Sequence, residues 1–169
     1  MKDSVYLESV QKELRAIKGL ADKAIAQVGN EDFFRQIDPE SNSIAIIVKH
    51  LAGSMRSRWQ DFLTTDGEKP DRDRDGEFLI EGDTVASLIA KWEEGWRLAF
   101  DTLGTLTSAD LEREVRIREE AYTVIGAINR QLAHIGNHVG QIAFLAKHYA
   151  GARWQALTVP RNRNRQPLR

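Results

Sequence analysis

Apolar residues recur every three or four positions in four long stretches of the chain, roughly 6–28, 43–63, 84–103 and 121–150. Because an α-helix has 3.6 residues per turn, this spacing places the apolar side chains of each stretch on one helical face. A chain with four such stretches and only one short alternating segment is predicted to be all-α. Each helix must bury its apolar stripe against the others, which constrains the fold more than any other feature of the sequence.

Residues that favour helix ends and turns set the expected boundaries. The expected caps are, in chain order, Gly29 and Asn30 at the end of the first helix, Ser41 or Asn42 before the second, Asp83 or Thr84 before the third and Thr123 before the fourth. Residues 64–83 are polar and rich in turn formers, and this connection is long enough to cross from one end of a helical bundle to the other. Residues 114–118 alternate in polarity and are predicted as a short extended connector or marginal strand.

Composition excludes several classes of protein. At 169 residues the chain is expected to form one domain, and a net charge of −1 gives no general reason to expect nucleic acid or an anionic membrane as partner. The absence of cysteine excludes disulfides and thiolate ligands. No apolar run approaches the roughly 20 residues of a membrane span, and the N-terminus lacks the apolar core of a signal peptide. A cytoplasmic enzyme or binding protein is therefore expected.

The composition changes near residue 151, so residues 1–151 are predicted as the helical domain and 152–169 as a basic tail. Five arginines follow without any acidic residue: Arg153, Arg161, Arg163, Arg165 and Arg169. One interpretation is a solvated, partly disordered tail. The other is an anchor, in which Trp154 and Leu157 dock and the arginines meet an anionic substrate or partner.

Two histidines in the last helix, His134 and His138, have the spacing of a metal-binding pair. Residues four apart lie about 40° apart around a helix and about 6 Å apart along it, so both imidazoles can reach one ion. His50, central in the second helix beside small serines, can supply a third ligand and leave positions open for water or substrate. His148 lies about 15 Å beyond His138 along the helix axis and cannot join them. The alternative is that these histidines border the core and are satisfied by hydrogen bonds.

Other catalytic and metal-binding patterns are absent or incomplete. Residues 71–76 copy the first half of an EF-hand calcium loop, but position twelve is Gly82 instead of a glutamate. A charge-rich surface loop is the preferred interpretation. Ile135 follows His134, so the glutamate of an HExxH zinc protease is missing, and neither a GxSxG nucleophile turn nor a phosphate-binding glycine loop occurs.

With these histidines in place, the chain resembles the DinB-like superfamily, specifically a bacterial branch of it. The segments that carry the likeness are NSIAIIVKHLAG at 42–53, SRWQDFLTTDGEKP at 57–70, INRQLAH at 128–134, HIGNHVGQI at 134–142 and WQALTVP at 154–160. They span nearly the whole chain. One departure is Val139, because several relatives carry arginine immediately after the last histidine.

The resemblance implies a four-helix bundle with a long crossover between the second and third long helices. It also implies a divalent metal, zinc or nickel, on His50, His134 and His138. Relatives include thiol S-transferases and isomerases that use bacillithiol or mycothiol, and many relatives are dimers. A homodimer that acts on a small molecule, with no nucleic acid or membrane partner, is the corresponding expectation.

The leading hypothesis is a metal-dependent enzyme, either a low-molecular-weight-thiol S-transferase or a hydrolase. Because no carboxylate base is visible beside the histidines in the sequence, thiol transfer is favoured over hydrolysis. Gln141, one turn beyond His138, is predicted to orient a bound ligand; weaker candidates for that role are Asn42, Arg58 and Arg130. The alternative is a non-catalytic, stress-linked binding protein or dimeric bundle whose metal site is structural or vestigial.

Overall fold

The computed structural model describes residues 5–159, which are mostly helical with one small two-stranded sheet. The five α-helices are α1 (Val5–Ile25), α2 (Asn30–Phe34), α3 (Ile44–Trp59), α4 (Val85–Thr105) and α5 (Val124–Ala150). The antiparallel strands are β1 (Glu114–Ile117) and β2 (Glu120–Thr123). Among these described residues, no helix is both long enough and apolar enough to cross a membrane.

The four long helices bury their apolar stripes in one shared core. α3 packs along α4, α1 packs along α5, and α3 and α5 also meet. Three tryptophans, Trp59, Trp92 and Trp96, are among the largest fully buried side chains of this core. The burial of each large apolar side chain contributes roughly 1.5–3 kcal/mol to the stability of the folded state. The contact between α3 and α5 matters most for function, because these two helices carry the paired histidines and His50.

The first helix ends earlier than its apolar pattern predicts. α1 stops at Ile25, and the predicted C-cap role of Gly29 and Asn30 is wrong. Gly29 instead has an extended backbone (φ −80°, ψ 169°) and precedes the short helix α2, which begins at Asn30. The reason is the burial of Phe33, which turns this segment into the core.

The ends of α3 also differ from the prediction. Neither Ser41 nor Asn42 caps this helix; the hydroxyl of Ser43 accepts a hydrogen bond from the Ile46 amide at 3.2 Å. α3 ends at Trp59 instead of continuing to residue 63, because the backbone of Asp61 adopts a positive φ of 48°. Phe62 is nevertheless buried in the core beyond this break.

The caps of α4 and α5 are confirmed. Thr84 caps α4 and forms a reciprocal capping box with Ser87. The hydroxyl of Thr123 accepts a hydrogen bond from the Gly126 amide at 3.1 Å, which fixes the start of α5. α5 begins at Val124 and not at Ala121, because residues 121–123 belong to β2.

The two strands form a hairpin whose turn is strained and externally supported. Arg118 and Glu119 have positive φ values of 54° and 65°, backbone conformations that residues other than glycine rarely adopt. The carboxylate of Asp66 accepts hydrogen bonds from both of their amides, each at 2.8 Å. The long connection between α3 and α4 therefore holds the hairpin turn in place.

That connection is itself fixed against α3. The hydroxyl of Ser57 donates to the Gly67 carbonyl and accepts from the Lys69 amide, both at 2.9 Å. The Gly67 amide also donates to the Arg116 carbonyl in β1 at 2.8 Å. Further along, a 3₁₀ turn at Gly76–Phe78 packs on α3. The connection is thus an ordered part of the site and not a loose link.

The start of the basic tail packs on the helical domain. Trp154 and Leu157 lie partly buried against the core. The side chain of Gln27 bonds the backbone of Gln155 twice, at 3.1 and 2.7 Å. Arg153 is exposed. The predicted tail arginines at 161, 163, 165 and 169 lie outside the described residues.

Candidate metal centre

Three imidazole rings converge where α3 meets α5. The centroid of the His50 ring is 5.2 Å from that of His134 and 5.0 Å from that of His138, and the two rings on α5 are 4.7 Å apart. Each of the three residues offers one ring nitrogen as a ligand atom, and these atoms all lie within 4.8 Å of one another. Within residues 5–159, they are the group of histidine or acidic side chains that could hold a metal ion. His148 lies elsewhere, with its ring beside Tyr149.

The spacing of the ring nitrogens is close to what a cation requires. Nitrogens bound tetrahedrally to one zinc ion at ~2.0–2.1 Å are about 3.3 Å apart. The Nε2 atoms of His50 and His134 are 3.2 Å apart. One nitrogen from each of the three rings lies within 4.8 Å of a nitrogen of each other ring. Three imidazoles without a thiolate or carboxylate suit zinc or nickel better than calcium or magnesium.

The ring of His50 is oriented by a buried carboxylate. Its Nδ1 lies 2.8 Å from Oε2 of Glu77, which the 3₁₀ turn brings to α3. An Nδ1–H that donates to this carboxylate leaves the Nε2 lone pair directed at the other two histidines. Phe78 packs beside the same ring, with centroids 4.9 Å apart. The expectation that no carboxylate lies beside the histidines is therefore wrong.

Glu77 is held in turn by a guanidinium fork. Nε of Arg72 donates to Oε1 of Glu77 at 2.7 Å, and Nη2 donates to Oε2 at 2.8 Å. Burial alone would raise the pKa of Glu77, but the hydrogen bonds from His50 and Arg72 lower it below its ordinary value. Glu77 thus remains an anion, and the sequence offers no local pattern that links it to a histidine 27 positions earlier.

The carboxylate of Glu77 can approach α3 closely because the residue at position 53 is glycine, which has no side chain. A Cβ at Gly53 would overlap the Glu77 carboxylate. Gly53 lies in α3 almost one turn beyond His50, so the notch it leaves is on the face where the connection docks. A glycine three residues after a candidate ligand is the one sequence signal that could have indicated an approaching group here.

Gln141, one turn beyond His138 on α5, contacts that histidine, whereas its predicted role of orienting a bound ligand stays a prediction. Oε1 of Gln141 lies 3.2 Å from Nδ1 of His138. A donated Nδ1–H again leaves Nε2 as the ligand nitrogen. Two of the three imidazoles therefore have a partner that sets the ring orientation, which is the usual support for histidines that bind metal.

The environment of the two α5 histidines, His134 and His138, favours their neutral forms. Burial, followed by the neighbouring His138 and His50, lowers the pKa of His134 to about 4. Burial and His50 lower the pKa of His138, against a smaller opposing effect of Gln141. Neutral imidazoles carry the lone pairs that metal ions require, so both rings are ready to bind a cation near pH 7.

A cavity of about 320 Å³ opens beside the three histidines. Besides the rings, it is lined by Phe78, Gln131 and five arginines: Arg58, Arg72, Arg74, Arg118 and Arg130. Of the weaker candidates from the sequence, Arg58 and Arg130 thus lie at the site. Asn42 does not line this cavity. The sequence does not predict this concentration of positive charge, because the five arginines are scattered over 73 positions.

Residues 2–163 match the family model described as "Protein of unknown function (DUF1572)". The chain belongs to the DUF1572 family. DUF1572 is a DinB-like family, so the resemblance seen in the sequence holds at that level. Neither the curated proteins nor the solved structures contain a match.

In this DUF1572 chain, Gln141 lines a second cavity, of about 660 Å³. Asn42 lines it, together with Gly136, Gly140 and the exposed Phe144. The small residues of α5 therefore border open space here. The homodimer stays a prediction that this surface neither requires nor excludes.

The aspartates of the acidic segment 71–76 make contacts of their own and are not among the candidate metal ligands. The carboxylate of Asp71 pairs with Arg56 at 2.8 Å, and that of Asp73 accepts from the Gly76 amide at 2.9 Å. Within the described part of the chain, these aspartates do not form a group of three ligands. The contacts agree with the interpretation of this segment as a surface loop.

Proposed function

We propose that this DUF1572 protein is a divalent-metal-dependent enzyme, built on a DinB-like four-helix bundle with its long crossover between α3 and α4. His50, His134 and His138 would hold the ion, zinc or nickel. The observation that carries the proposal is the convergence of three imidazoles, one of them oriented by the buried pair of Glu77 and Arg72. Such a supported arrangement is unusual for histidines that only border a core.

Three neutral ligands leave the double positive charge of the ion uncompensated, which favours an anionic partner in the remaining position. When bound, the ion supplies a Lewis acid that lowers the pKa of a thiol or a water molecule. The residues of the chain supply the rest: Glu77 and Gln141 fix the rings, and the cavity admits a small molecule beside them.

Thiol S-transfer is the favoured reaction class, with hydrolysis second. A hydrolase needs a general base near the attacking water. Glu77 is the buried carboxylate at the site, but both of its oxygens already accept hydrogen bonds from Arg72 or His50. Its lowered pKa makes it a weak base. A thiol that ionises at the metal needs no such base. Thiol transfer is therefore still favoured over hydrolysis. The reason is no longer that a carboxylate is absent, but that the carboxylate present is a weak base with both oxygens occupied.

Metal analysis of the purified protein tests the site. Wild type loaded with zinc or nickel and then desalted is expected to retain one ion per chain, whereas His138→Ala retains none with unchanged helix content by circular dichroism. His148→Ala, which removes a histidine of the same helix outside the site, is the matched control. Equal metal content in wild type and His138→Ala would contradict the proposed ligand set.

A thiol assay then separates an enzyme from a metal-containing binding protein. Metal-loaded protein is incubated with monochlorobimane and a panel of bacterial low-molecular-weight thiols, and the fluorescence of the conjugate is followed. Metal-dependent acceleration with at least one thiol, lost in His138→Ala, is the expected result. If no thiol reacts faster and no ester or amide substrate is hydrolysed, the non-catalytic alternative replaces the enzymatic proposal.

A further inference from the structure

The cavity beside the histidines is far more positive than the chain as a whole. The protein carries a formal net charge of −1, yet five arginines line this one space of about 320 Å³. Two glutamates offset part of that charge. Glu77 pairs with Arg72, and Glu68 pairs with both Arg72 and Arg118. Among the described residues, Arg58, Arg74 and Arg130 form no ion pair in this cavity, so positive charge is in excess before any metal is added.

Arg58 is the most unusual of the five. It is only 4% exposed, and neither its Nε nor its Nη1 has a hydrogen-bond partner within residues 5–159. Glu68 and Asp66 are close enough to act on its charge, but buried guanidinium nitrogens without hydrogen-bond partners are unfavourable. Burial, followed by repulsion from Arg130, lowers the pKa of Arg58 to about 10. The chain therefore maintains unpaired guanidinium donors on a residue that lines the cavity, where a ligand can pair with them.

A second buried donor lines the same space. Gln131, on α5, is 1% exposed, and its amide nitrogen has no partner among the described residues. Native proteins rarely leave such groups unpaired unless a ligand, ion or water completes them. Two independent orphaned donors in one cavity thus indicate a missing acceptor.

The arginine on the hairpin is held there in a strained conformation. Arg118 occupies the positive-φ turn between β1 and β2, which the Asp66 carboxylate holds by its two hydrogen bonds. A strained conformation that is stabilised from a distant segment is typical of functional sites. Its consequence is that Arg118 lines the cavity together with Arg58 and Arg130, which the helices α3 and α5 carry.

We propose that this cavity binds an oxyanion group of the substrate, a carboxylate or a phosphate, through Arg58, Arg118, Arg130 and the amide of Gln131. Guanidinium groups bind such planar or tetrahedral anions by paired, charge-assisted hydrogen bonds. The assignment rests on the proposed function in one respect, because the histidines in the same cavity would hold the ion that acts on the substrate. It narrows the substrate class to small acidic molecules, since the space is near the lower limit of ligand pockets.

Anion titration of the metal-depleted protein tests this assignment without involving the metal. Inorganic phosphate and succinate are titrated separately by calorimetry into chelator-treated wild type, Arg58→Gln, Arg130→Gln and Arg97→Gln. Arg97 pairs with Glu94 and Asp101 on the surface of α4, so Arg97→Gln removes the same charge outside the cavity. The two probes distinguish a phosphate site from a carboxylate site.

Wild type is expected to bind at least one of the two anions. We expect affinity to fall about tenfold or more in Arg58→Gln and severalfold in Arg130→Gln, and to be unchanged in Arg97→Gln. Arg130 is exposed, so its variant remains informative even if Arg58→Gln fails to fold. No binding of either anion to wild type, or equal affinity in Arg130→Gln and Arg97→Gln, would overturn the assignment. If wild type binds an anion in this titration but retains no ion in the separate metal-loading analysis, the anion site stands and the enzymatic proposal fails.

A thermal measurement gives a second, separate readout. If Arg58 is kept unpaired for a ligand, Arg58→Gln in phosphate-free, carboxylate-free buffer should melt at a temperature at least as high as wild type. Added anion should raise the melting temperature of wild type but not of Arg58→Gln. A large drop in the melting temperature of Arg58→Gln, with no response of wild type to either anion, would assign Arg58 a purely structural role.

Discussion

Glu77 shows how one residue of a connecting segment completes a site carried by helices. It accepts hydrogen bonds from His50 and from Arg72 at once, and it is buried with both partners. The imidazole of His50 is thereby held with Nε2 toward His134. Without that contact, no hydrogen bond would fix the orientation and tautomer of the ring, and the metal would bind to a less organised set of ligands.

Glu77→Gln is expected to weaken zinc binding by about 10–100-fold, because the amide keeps the shape but loses the charge that His50 and Arg72 require. Competition against a fluorescent zinc chelator measures this change. Glu81→Gln, an exposed residue of the same connection, is the control and should bind zinc as wild type does. Equal affinity in the two variants would show that Glu77 does not support the ligands.

Asp66 makes stability depend on pH through the hairpin turn. Burial would raise its pKa, but hydrogen bonds from the amides of Glu68, Glu119 and Arg118 lower it below the ordinary value. A carboxyl group with a lowered pKa contributes stability above its unfolded-state pKa, about 3.9, and that contribution is lost as the pH falls through the folded-state value.

Asp66→Asn should therefore cost about 1–2 kcal/mol of unfolding free energy at pH 7 in the metal-depleted protein. The difference from wild type should shrink below about pH 4, where wild type loses the same contribution. Urea unfolding at several pH values measures both. Asp75→Asn, at an exposed position of the same connection, should cost little at any pH. A cost for Asp66→Asn that does not vary with pH would argue against the charge as its cause.

At the level of secondary structure, the site is assembled from α3, α5 and the connection between α3 and α4. α3 supplies His50 and the notch at Gly53, and the connection fills that notch with Glu77. Ser57 and Gly67 fix the connection a turn further along α3. The fixed conformation of the connection thus contributes to the metal-binding geometry, although the sequence predicts only a polar connection there.

Gly53→Ala tests this docking. In an isolated helix, alanine stabilises by about 1 kcal/mol relative to glycine. At Gly53, however, the new Cβ would overlap the carboxylate of Glu77, which Arg72 and His50 hold in place. We expect zinc affinity to fall about tenfold or more as Glu77 is displaced.

Gly19→Ala in α1 is the matched control, because a Cβ there meets nothing within 4 Å. It should raise the melting temperature slightly and leave zinc affinity unchanged. If Gly53→Ala behaves in the same way, the approach of Glu77 to α3 does not determine how the site binds metal.

The elements that the sequence predicts well are those with a strong local pattern. The apolar period gives the four long helices, and the caps at Thr84 and Thr123 follow from local side-chain chemistry. Residues 121–123 directly precede the apolar pattern of the last helix, and the sequence therefore assigns them to that helix. Their pairing with β1 is a tertiary contact, so no local pattern predicts β2. Helix α2 has no periodic pattern to predict it, since the burial of Phe33 creates it.

The same distinction holds for the site. The spacing of His134 and His138 is local and indicates their shared face, whereas the approach of His50 and Glu77 depends on how α3, α5 and the connection pack. The position of Gln141 one turn beyond His138 on α5 is likewise local, and it places the amide beside that ring. The arginine cavity has no such local signal, because it gathers residues from α3, the connection, the hairpin and α5.

For the molecule as a whole, metal binding should be linked to folding stability. The ligands come from two helices that are distant in sequence, so an ion that binds only the folded chain stabilises it. At a free zinc concentration about 100 times the dissociation constant, the stabilisation is about 2.7 kcal/mol.

For a chain of this size, that stabilisation corresponds to a rise of about 5–10 °C in melting temperature. Differential scanning fluorimetry with zinc and with a chelator measures it. His138→Ala should show no rise, and His148→Ala should respond as wild type does. An equal rise in His138→Ala and wild type would mean that zinc stabilises the chain from another place.

The shared metal centre can be observed in a crystal structure of the zinc-loaded protein, with anomalous data collected on both sides of the zinc edge. We expect one anomalous peak per chain, about 2.0–2.1 Å from a ring nitrogen of each of His50, His134 and His138. A fully loaded crystal whose zinc lies elsewhere, such as on the surface aspartates 71 and 73, would contradict the three-histidine centre.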